Sequence, residues 1–178
     1  MTVTDLDIMP DDGNRYEIIE GEVFASRAPN LRHQGISGNL LVSIKNYLTQ
    51  NPIGEIWATP GVIFSEISAV IPDLVYISNE RMSAIASGER VTGAPDLAIE
   101  ILSWGSENER RDRIFKSQLY AKYGVSEYWI VDPEKLAIEI YTLDKKNFKL
   151  LAAYGEGDEI MSNLLPGFRC KVRSIFSR

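Results

Sequence analysis

The sequence predicts an α/β protein with a central mixed sheet flanked by helices and an extra β-hairpin towards each end of the chain. Between residues 31 and 132 the hydrophobic spacing gives the order helix, strand, strand, strand, helix, strand. Segments 15–26 and 137–154 each alternate around a central turn signal, which is typical of hairpins. The length of 178 residues favours a single domain over residues 1–178.

The first hairpin and the first long helix follow from local signals. Glu20-Gly21-Glu22 is the turn of the hairpin. Asn30 can cap the next helix, which should end before Asn51-Pro52. Its apolar residues recur at helical spacing, as expected for a helix that packs on a sheet: Ile36, Leu40, Leu41, Ile44 and Leu48.

Three strands are predicted next. Residues 54–64 suggest one strand that is bent or broken near Pro60-Gly61. Pro72-Asp73 and Pro95-Asp96 each open an apolar run typical of a strand. Residues 79–93 between these two runs predict a connector with one helical turn.

The second half of the chain predicts a helix, a strand and a hairpin. The helix has Phe115, Leu119 and Tyr123 on one stripe and is stopped by Gly124. Residues 127–132 form a short strand, and the hairpin over residues 137–154 follows it. The tail, residues 155–178, predicts irregular structure with a short final helix.

Composition limits the classes of function. Cys170 is the only cysteine, so no disulfide can form within the chain, which fits a reducing cytoplasm. Residues 1–17 lack the basic and apolar parts of a signal peptide, and no apolar run is long enough to span a membrane. The net charge of −6 argues against a protein that binds nucleic acid by bulk attraction. A polyanionic partner would therefore need a local basic patch.

Two acidic residues lie in segments that are otherwise typical of buried, apolar strands. Glu100 lies in the middle of an apolar run, where a carboxylate costs stability unless a cation or donor compensates it. Asp73 enters a neighbouring strand, so the two carboxylates could hold a divalent metal ion. Lys116, on the following helix, lies four residues after Asp112 and four before Tyr120, at the rim of the apolar stripe. Asp, Glu and Lys together suit metal-assisted phosphodiester hydrolysis.

Taken together, these segments and residues resemble those of a known protein superfamily. Segments 15–22, 72–75, 93–103 and 127–133, with His33, Lys116 and Tyr120, resemble the restriction-endonuclease-like PD-(D/E)XK superfamily and its Uma-type endonuclease branch. The resemblance implies a restriction-endonuclease-like α-β-β-β-α-β core, and catalytic roles for Asp73, Glu100 and Lys116. The sequence departs from the superfamily tripeptide at Leu102, where a lysine is usual. The resemblance implies that Lys116, on the next helix, has taken the role of that lysine.

Further residues have two interpretations each. His33 is either a satisfied core histidine or a site residue, and Asp96 is either structural or a ligand. Glu20 is interpreted as a hairpin residue in preference to a metal ligand, although members of the superfamily often have an additional acidic site residue early in the chain. Arg110, Arg111 and Arg113 form either a solvated helix face or a phosphate-binding cluster.

The sequence and the resemblance therefore predict a cytoplasmic, Mg²⁺- or Mn²⁺-dependent endonuclease, with DNA favoured over RNA as the expected substrate. Asp73 and Glu100 are the expected metal ligands, and a homodimer is a candidate assembly. The alternative is a nuclease fold without catalysis that binds nucleic acid or protein. The acidic composition and Leu102 favour this alternative, whereas Asp73, Glu100 and Lys116 favour the enzyme.

Overall fold

A six-stranded mixed sheet forms the centre of the computed structural model, which describes residues 1–86, 88–103 and 111–177. The strands Leu97–Ile101 and Glu127–Asp132 are parallel neighbours, and the other neighbouring pairs are antiparallel. The predicted mixed sheet is therefore confirmed. In spatial order its strands are β11 (Asn147–Tyr154), β10 (Ala137–Asp144), β9 (Glu127–Asp132), β8 (Leu97–Ile101), β6 (Leu74–Ser78) and β3 (Gly54–Ala58).

A second, five-stranded sheet contains the first predicted hairpin. Its strands are, in spatial order, β2 (Glu22–Ser26), β1 (Arg15–Ile19), β5 (Ser68–Val70), β4 (Val62–Ser65) and β7 (Val91–Thr92). The predicted break near Pro60-Gly61 is confirmed, but residues 54–64 do not form one strand, because β3 and β4 belong to different sheets. Thr59 has a positive φ of 50° and Pro60 has no backbone N–H, so the first ladder cannot continue through them.

Helices cover the sheets. α1 (Leu31–Gln50) starts where predicted, with the Asn30 side chain accepting a hydrogen bond from His33 N. α2 (Asn79–Ile85) and β7 occupy most of the predicted connector. A π-helical segment, Arg111–Lys116, runs directly into α3 (Ser117–Tyr123), which ends at Gly124 with φ 89°. None of the helices in the described ranges is both long enough and apolar enough to cross a membrane.

The chain ends are more regular than the sequence predicts. A 3-10 helix spans Val3–Ile8. In the tail, β12 (Glu159–Ile160) pairs with β13 (Cys170–Lys171), and α4 (Val172–Phe176) follows. These strands are only two residues long, which is too short to show a periodic hydrophobic pattern in the sequence.

The central sheet has an apolar core on each face. On one face, α1 packs with Leu74 and Ile99 of β6 and β8. On the other face, Val75 and Ala98 pack with α3 and with the five-stranded sheet. Because strand residues alternate between faces, Glu100 points towards α3 and the five-stranded sheet. The carboxylate thus lies where three elements meet.

Candidate active site

The pairing of β6 with β8 brings Asp73 and Glu100 together. Leu74 is opposite Ile99, so continuing the antiparallel register by one residue puts Asp73 opposite Glu100. Both are buried, at 8% and 3% exposure. The Ile101 N–H donates to Asp73 Oδ2 at 2.8 Å, which fixes this carboxylate beside the end of β8.

Lys116 completes the predicted trio, but it lies deeper than the sequence suggests. Its Nζ is 3.0 Å from Glu100 Oε1, and the side chain is 2% exposed rather than at a rim. The Tyr120 hydroxyl donates to the same Glu100 oxygen at 2.5 Å. Tyr120 therefore binds the Glu100 carboxylate as well as packing in the core. The spacing of four residues puts the two donors on one face of the helix.

Two further acids in this cluster were missed by the sequence prediction. Glu17 on β1 is 3% exposed, and its Oε1 lies 2.9 Å from Lys116 Nζ and accepts from Ile71 N at 2.7 Å. Asp112 is 2% exposed and lies 3.9 Å from Lys116 Nζ. Glu17 stands between Tyr16 and Ile18 in an alternating strand. The argument applied to Glu100, that a mid-strand carboxylate needs a reason, would have found it.

Burial and charge control protonation in this cluster. Burial raises the pKa of Glu100; the Lys116 ammonium opposes the rise, and repulsion from Asp112, Asp73 and Glu17 adds to it. Burial alone would lower the pKa of Lys116, but the surrounding carboxylates outweigh this and raise it. Lys116 is therefore a cation near neutral pH, and Glu100 holds its proton more readily than an ordinary glutamate does.

His33 lies in the cleft beside Asp73. Its Nε2 is 3.1 Å from Asp73 Oδ2, and its ring is almost fully buried. Its Nδ1 is buried and has no hydrogen-bond partner in the described part of the chain. Of its two interpretations, the structure places the side chain at the candidate site, with one ring nitrogen unused.

Asp96 and Glu20 lie elsewhere. Asp96 is four residues before Glu100, at the opposite end of β8, where it accepts from Ser78 N at 2.7 Å and pairs with Arg81. Glu20 is half-exposed at the hairpin turn, 2.6 Å from Lys122 Nζ. The geometry accordingly gives both residues structural partners outside the cleft.

Two arginines of the predicted phosphate-binding cluster, Arg111 and Arg113, already form ion pairs with carboxylates. Arg111 Nε lies 3.2 Å from Asp112 Oδ1 and 3.9 Å from Glu17 Oε2. Arg113 pairs with Asp132 and Glu139. Arg110 lies outside the described residues. Arg111 thus belongs to the buried acid cluster, and Arg113 is bound to β9 and β10 of the central sheet.

The cluster forms the floor of an open cleft of about 430 Å³. In the described ranges the floor has four buried acids, Glu17, Asp73, Glu100 and Asp112, against the buried Lys116 and the partly buried Arg111. When all are ionised, the floor has two more negative charges than positive ones. Arg15 and Arg27 lie at the mouth of the same cleft.

The donor set of this floor fits a divalent cation. Within the described residues, no group of three or more His, Cys, Asp or Glu side chains is arranged so that it could hold a metal ion by itself. Mg²⁺, however, is commonly held by one or two carboxylates together with water and substrate phosphates. Asp73 and Glu100 supply two hard oxygen ligands, and a divalent charge would balance the excess of acids in the floor.

Comparisons with known proteins agree with the fold. Residues 3–173 match the family model described as "Uma2: Putative restriction endonuclease". The structure resembles the crystal structure of "a putative nuclease belonging to DUF820" from Anabaena variabilis, with a TM-score of 0.77 and 18% identity. This alignment covers 99% of this chain and 97% of the other. No curated protein matches the sequence.

The chain therefore has a restriction-endonuclease-like α/β fold. It belongs to the Uma2 family, whose model spans nearly its whole length.

Proposed function

We propose that this protein is a divalent-metal-dependent nuclease that hydrolyses DNA phosphodiester bonds in the cleft formed by Asp73, Glu100 and Lys116. The observation that supports this most is the excess of buried acids in an open cleft. Four buried carboxylates share two cations there, and an excess of ionised buried acids costs stability unless a further cation compensates it. The name of the family favours nuclease chemistry over other phosphoryl transfer.

Asp73 and Glu100 would hold the cation. Once bound, Mg²⁺ or Mn²⁺ supplies Lewis acidity towards a phosphate oxygen. The Ile101 N–H and His33 Nε2 both contact Asp73 Oδ2 and so orient this carboxylate. In the same way, Tyr120 and Lys116 orient Glu100 through one oxygen. In the described residues its other oxygen has no recorded partner.

Lys116 would act by charge and not as a base, because its raised pKa keeps it protonated. Hydrolysis adds water across one P–O bond. The water oxygen bonds to phosphorus, the bond to the sugar oxygen breaks, and the leaving oxygen gains a proton. An ammonium fixed among carboxylates can stabilise the negative charge that grows on the phosphate during this step. Glu17 and Asp112 hold the ammonium in place.

Leu102 supports the same assignment of the lysine role. Its side chain is 7% exposed and packs in the core on the α3 side of the central sheet. A lysine at this position would replace core packing, whereas Lys116 reaches Glu100 from the neighbouring helix. This arrangement favours an active enzyme over a nuclease fold without catalysis.

The test is cleavage of a mixed panel of DNA and RNA substrates, single- and double-stranded, with Mn²⁺ or Mg²⁺. We expect DNA cleavage by the wild type and none by Glu100→Gln. Glu55→Gln changes an exposed strand glutamate outside the cleft and is the matched control. Cleavage that persists in Glu100→Gln, or that needs no divalent metal, would contradict the proposal.

A further inference from the structure

The mouth of the cleft has a pair of basic residues that the mechanism does not use. We infer that Arg15 and Arg27 form a binding site for the phosphate backbone of the substrate. This inference deepens the proposed function and rests on it. The sequence suggests a phosphate-binding cluster at Arg110, Arg111 and Arg113. This inference instead assigns the phosphate contacts to the open end of the first hairpin.

Arg15 and Arg27 lie at the open end of the first hairpin, and both line the cleft. Arg15 begins β1 and is paired with Ser26, the last residue of β2, so Arg27 follows directly after its cross-strand partner. Both residues line the cleft that also contains Asp73 and Glu100. Two guanidinium groups at adjacent positions can contact one phosphate group or two successive ones.

Arg15 also has a fixed relation to the acidic floor. Arg15 and Glu17 are two residues apart on β1, so they share a face of the strand and are separated by roughly 7 Å along it. Arg15 is partly buried whereas Glu17 is buried, so Arg15 is the more solvent-accessible of the two. The cleft thus has acids at its floor and arginines at its mouth.

Both guanidinium groups are available for a ligand. Arg15 is half-buried and Arg27 is exposed. Neither has a recorded ion pair or side-chain hydrogen bond with a residue of the described ranges. In contrast, Arg111 and Arg113 already pair with carboxylates, and moving them to a phosphate would leave those carboxylates unpaired.

The layered charge makes metal and phosphate binding interdependent. Without a cation, the excess of acids in the floor repels a phosphate group that approaches the arginines. A divalent cation at Asp73 and Glu100 removes this repulsion. Because coupling between two sites is reciprocal, phosphate at the mouth should also strengthen binding of the cation at the floor.

The test is the binding of a short, labelled DNA duplex, followed by fluorescence anisotropy with Ca²⁺ and with chelator at several salt concentrations. We expect Arg15→Gln and Arg27→Gln each to weaken binding about tenfold, since each removes a charge-assisted contact. Each should also lower the slope of log affinity against log salt by about one, and the double variant by about two. Ca²⁺ should tighten wild-type binding.

Arg90→Gln is the matched control. Arg90 is a half-exposed arginine whose closest acidic contact is Asp7 at 4.0 Å, and it is absent from the lining of the cleft. Its replacement should change neither affinity nor slope. Arg15→Lys with Arg27→Lys should retain the slope, because the charge remains. Thermal unfolding of each variant checks that the hairpin is intact.

The outcomes separate this inference from the proposed function. Wild-type cleavage with unchanged affinity and slope in the double glutamine variant would overturn the arginine site and leave the nuclease proposal intact. Arginine-dependent binding without any cleavage would support the site and contradict the nuclease. An absence of wild-type binding under all conditions would overturn the site.

Discussion

Replacing Lys116 with methionine should destabilise the protein in a pH-dependent way. Lys116 is 2% exposed and lies within 3.0 Å of two carboxylates, with Asp112 at 3.9 Å. Lys116→Met keeps a side chain of similar length but leaves these buried acids with Arg111 as the remaining cation in the described cluster. Removing one partner of a buried ion pair costs about 3–5 kcal/mol, so we expect a loss of this size at about pH 8.

The loss should shrink as the pH falls. Burial and mutual repulsion already raise the pKa of Glu100, and removal of Lys116 raises it further. A carboxyl whose pKa is raised in the folded state binds a proton on folding, so it stabilises the fold at low pH and loses this contribution as the pH rises. The difference between wild type and Lys116→Met should therefore be smallest near pH 5 and largest near pH 8.

The assay is urea unfolding followed by circular dichroism across this pH range. Lys122→Met is the control, because Lys122 is half-exposed and its pair with Glu20 lies at the surface. It should cost less than about 1 kcal/mol at any pH. Adding Glu100→Gln to Lys116→Met should restore part of the stability by removing one unpaired acid. A loss for Lys116→Met below about 1 kcal/mol, equal at both ends of the range, would refute this view of the cluster.

Three further predictions concern activity and binding. Lys116→Ala should reduce turnover strongly with little change in metal affinity, and Lys116→Arg should rescue it poorly, because a planar fork differs from a point charge; single-turnover kinetics with a metal titration would show both effects. Mn²⁺ affinity should rise with pH through the raised pKa of Glu100, since the proton must leave before the metal binds; calorimetry in buffers of different ionisation enthalpy should detect the released proton, and its absence would mean that Glu100 is not a ligand. Arg113→Ala should leave the salt dependence of DNA binding unchanged, because Arg113 pairs with Asp132 and Glu139; a lower slope would restore it to the phosphate-binding cluster.

Long periodic segments of the fold could be predicted from the sequence. The cap at Asn30 and the spacing of the apolar residues specify α1 completely, and both hairpins follow from alternation around their turns. Short elements could not be predicted. β5 and β7 have three and two residues, so they have no period, and they exist because tertiary contacts supply their partners.

The site divides in a similar way. Asp73, Glu100 and Lys116 could be found because each is a local exception to an apolar pattern, and the structure brings them together. The burial of Lys116 could not be predicted from the sequence. The helix pattern puts Lys116 at the rim of the apolar stripe, but it does not show which other elements cover that face of the helix. The β1–β2 hairpin covers the cleft with residues that are distant in sequence, Glu17 from within and Arg15 at the mouth. No spacing rule links them to Glu100.

Calorimetric titration of Mn²⁺ is the most direct test of the central proposal, that Asp73 and Glu100 hold a divalent cation. We expect the wild type to bind Mn²⁺, and Asp73→Asn and Glu100→Gln to lose this binding while remaining folded. Glu20→Gln, which changes an acid outside the cleft, should bind as the wild type does. Unchanged Mn²⁺ binding in Asp73→Asn or Glu100→Gln, or no binding by the wild type, would contradict the proposal and favour a binding module without catalysis.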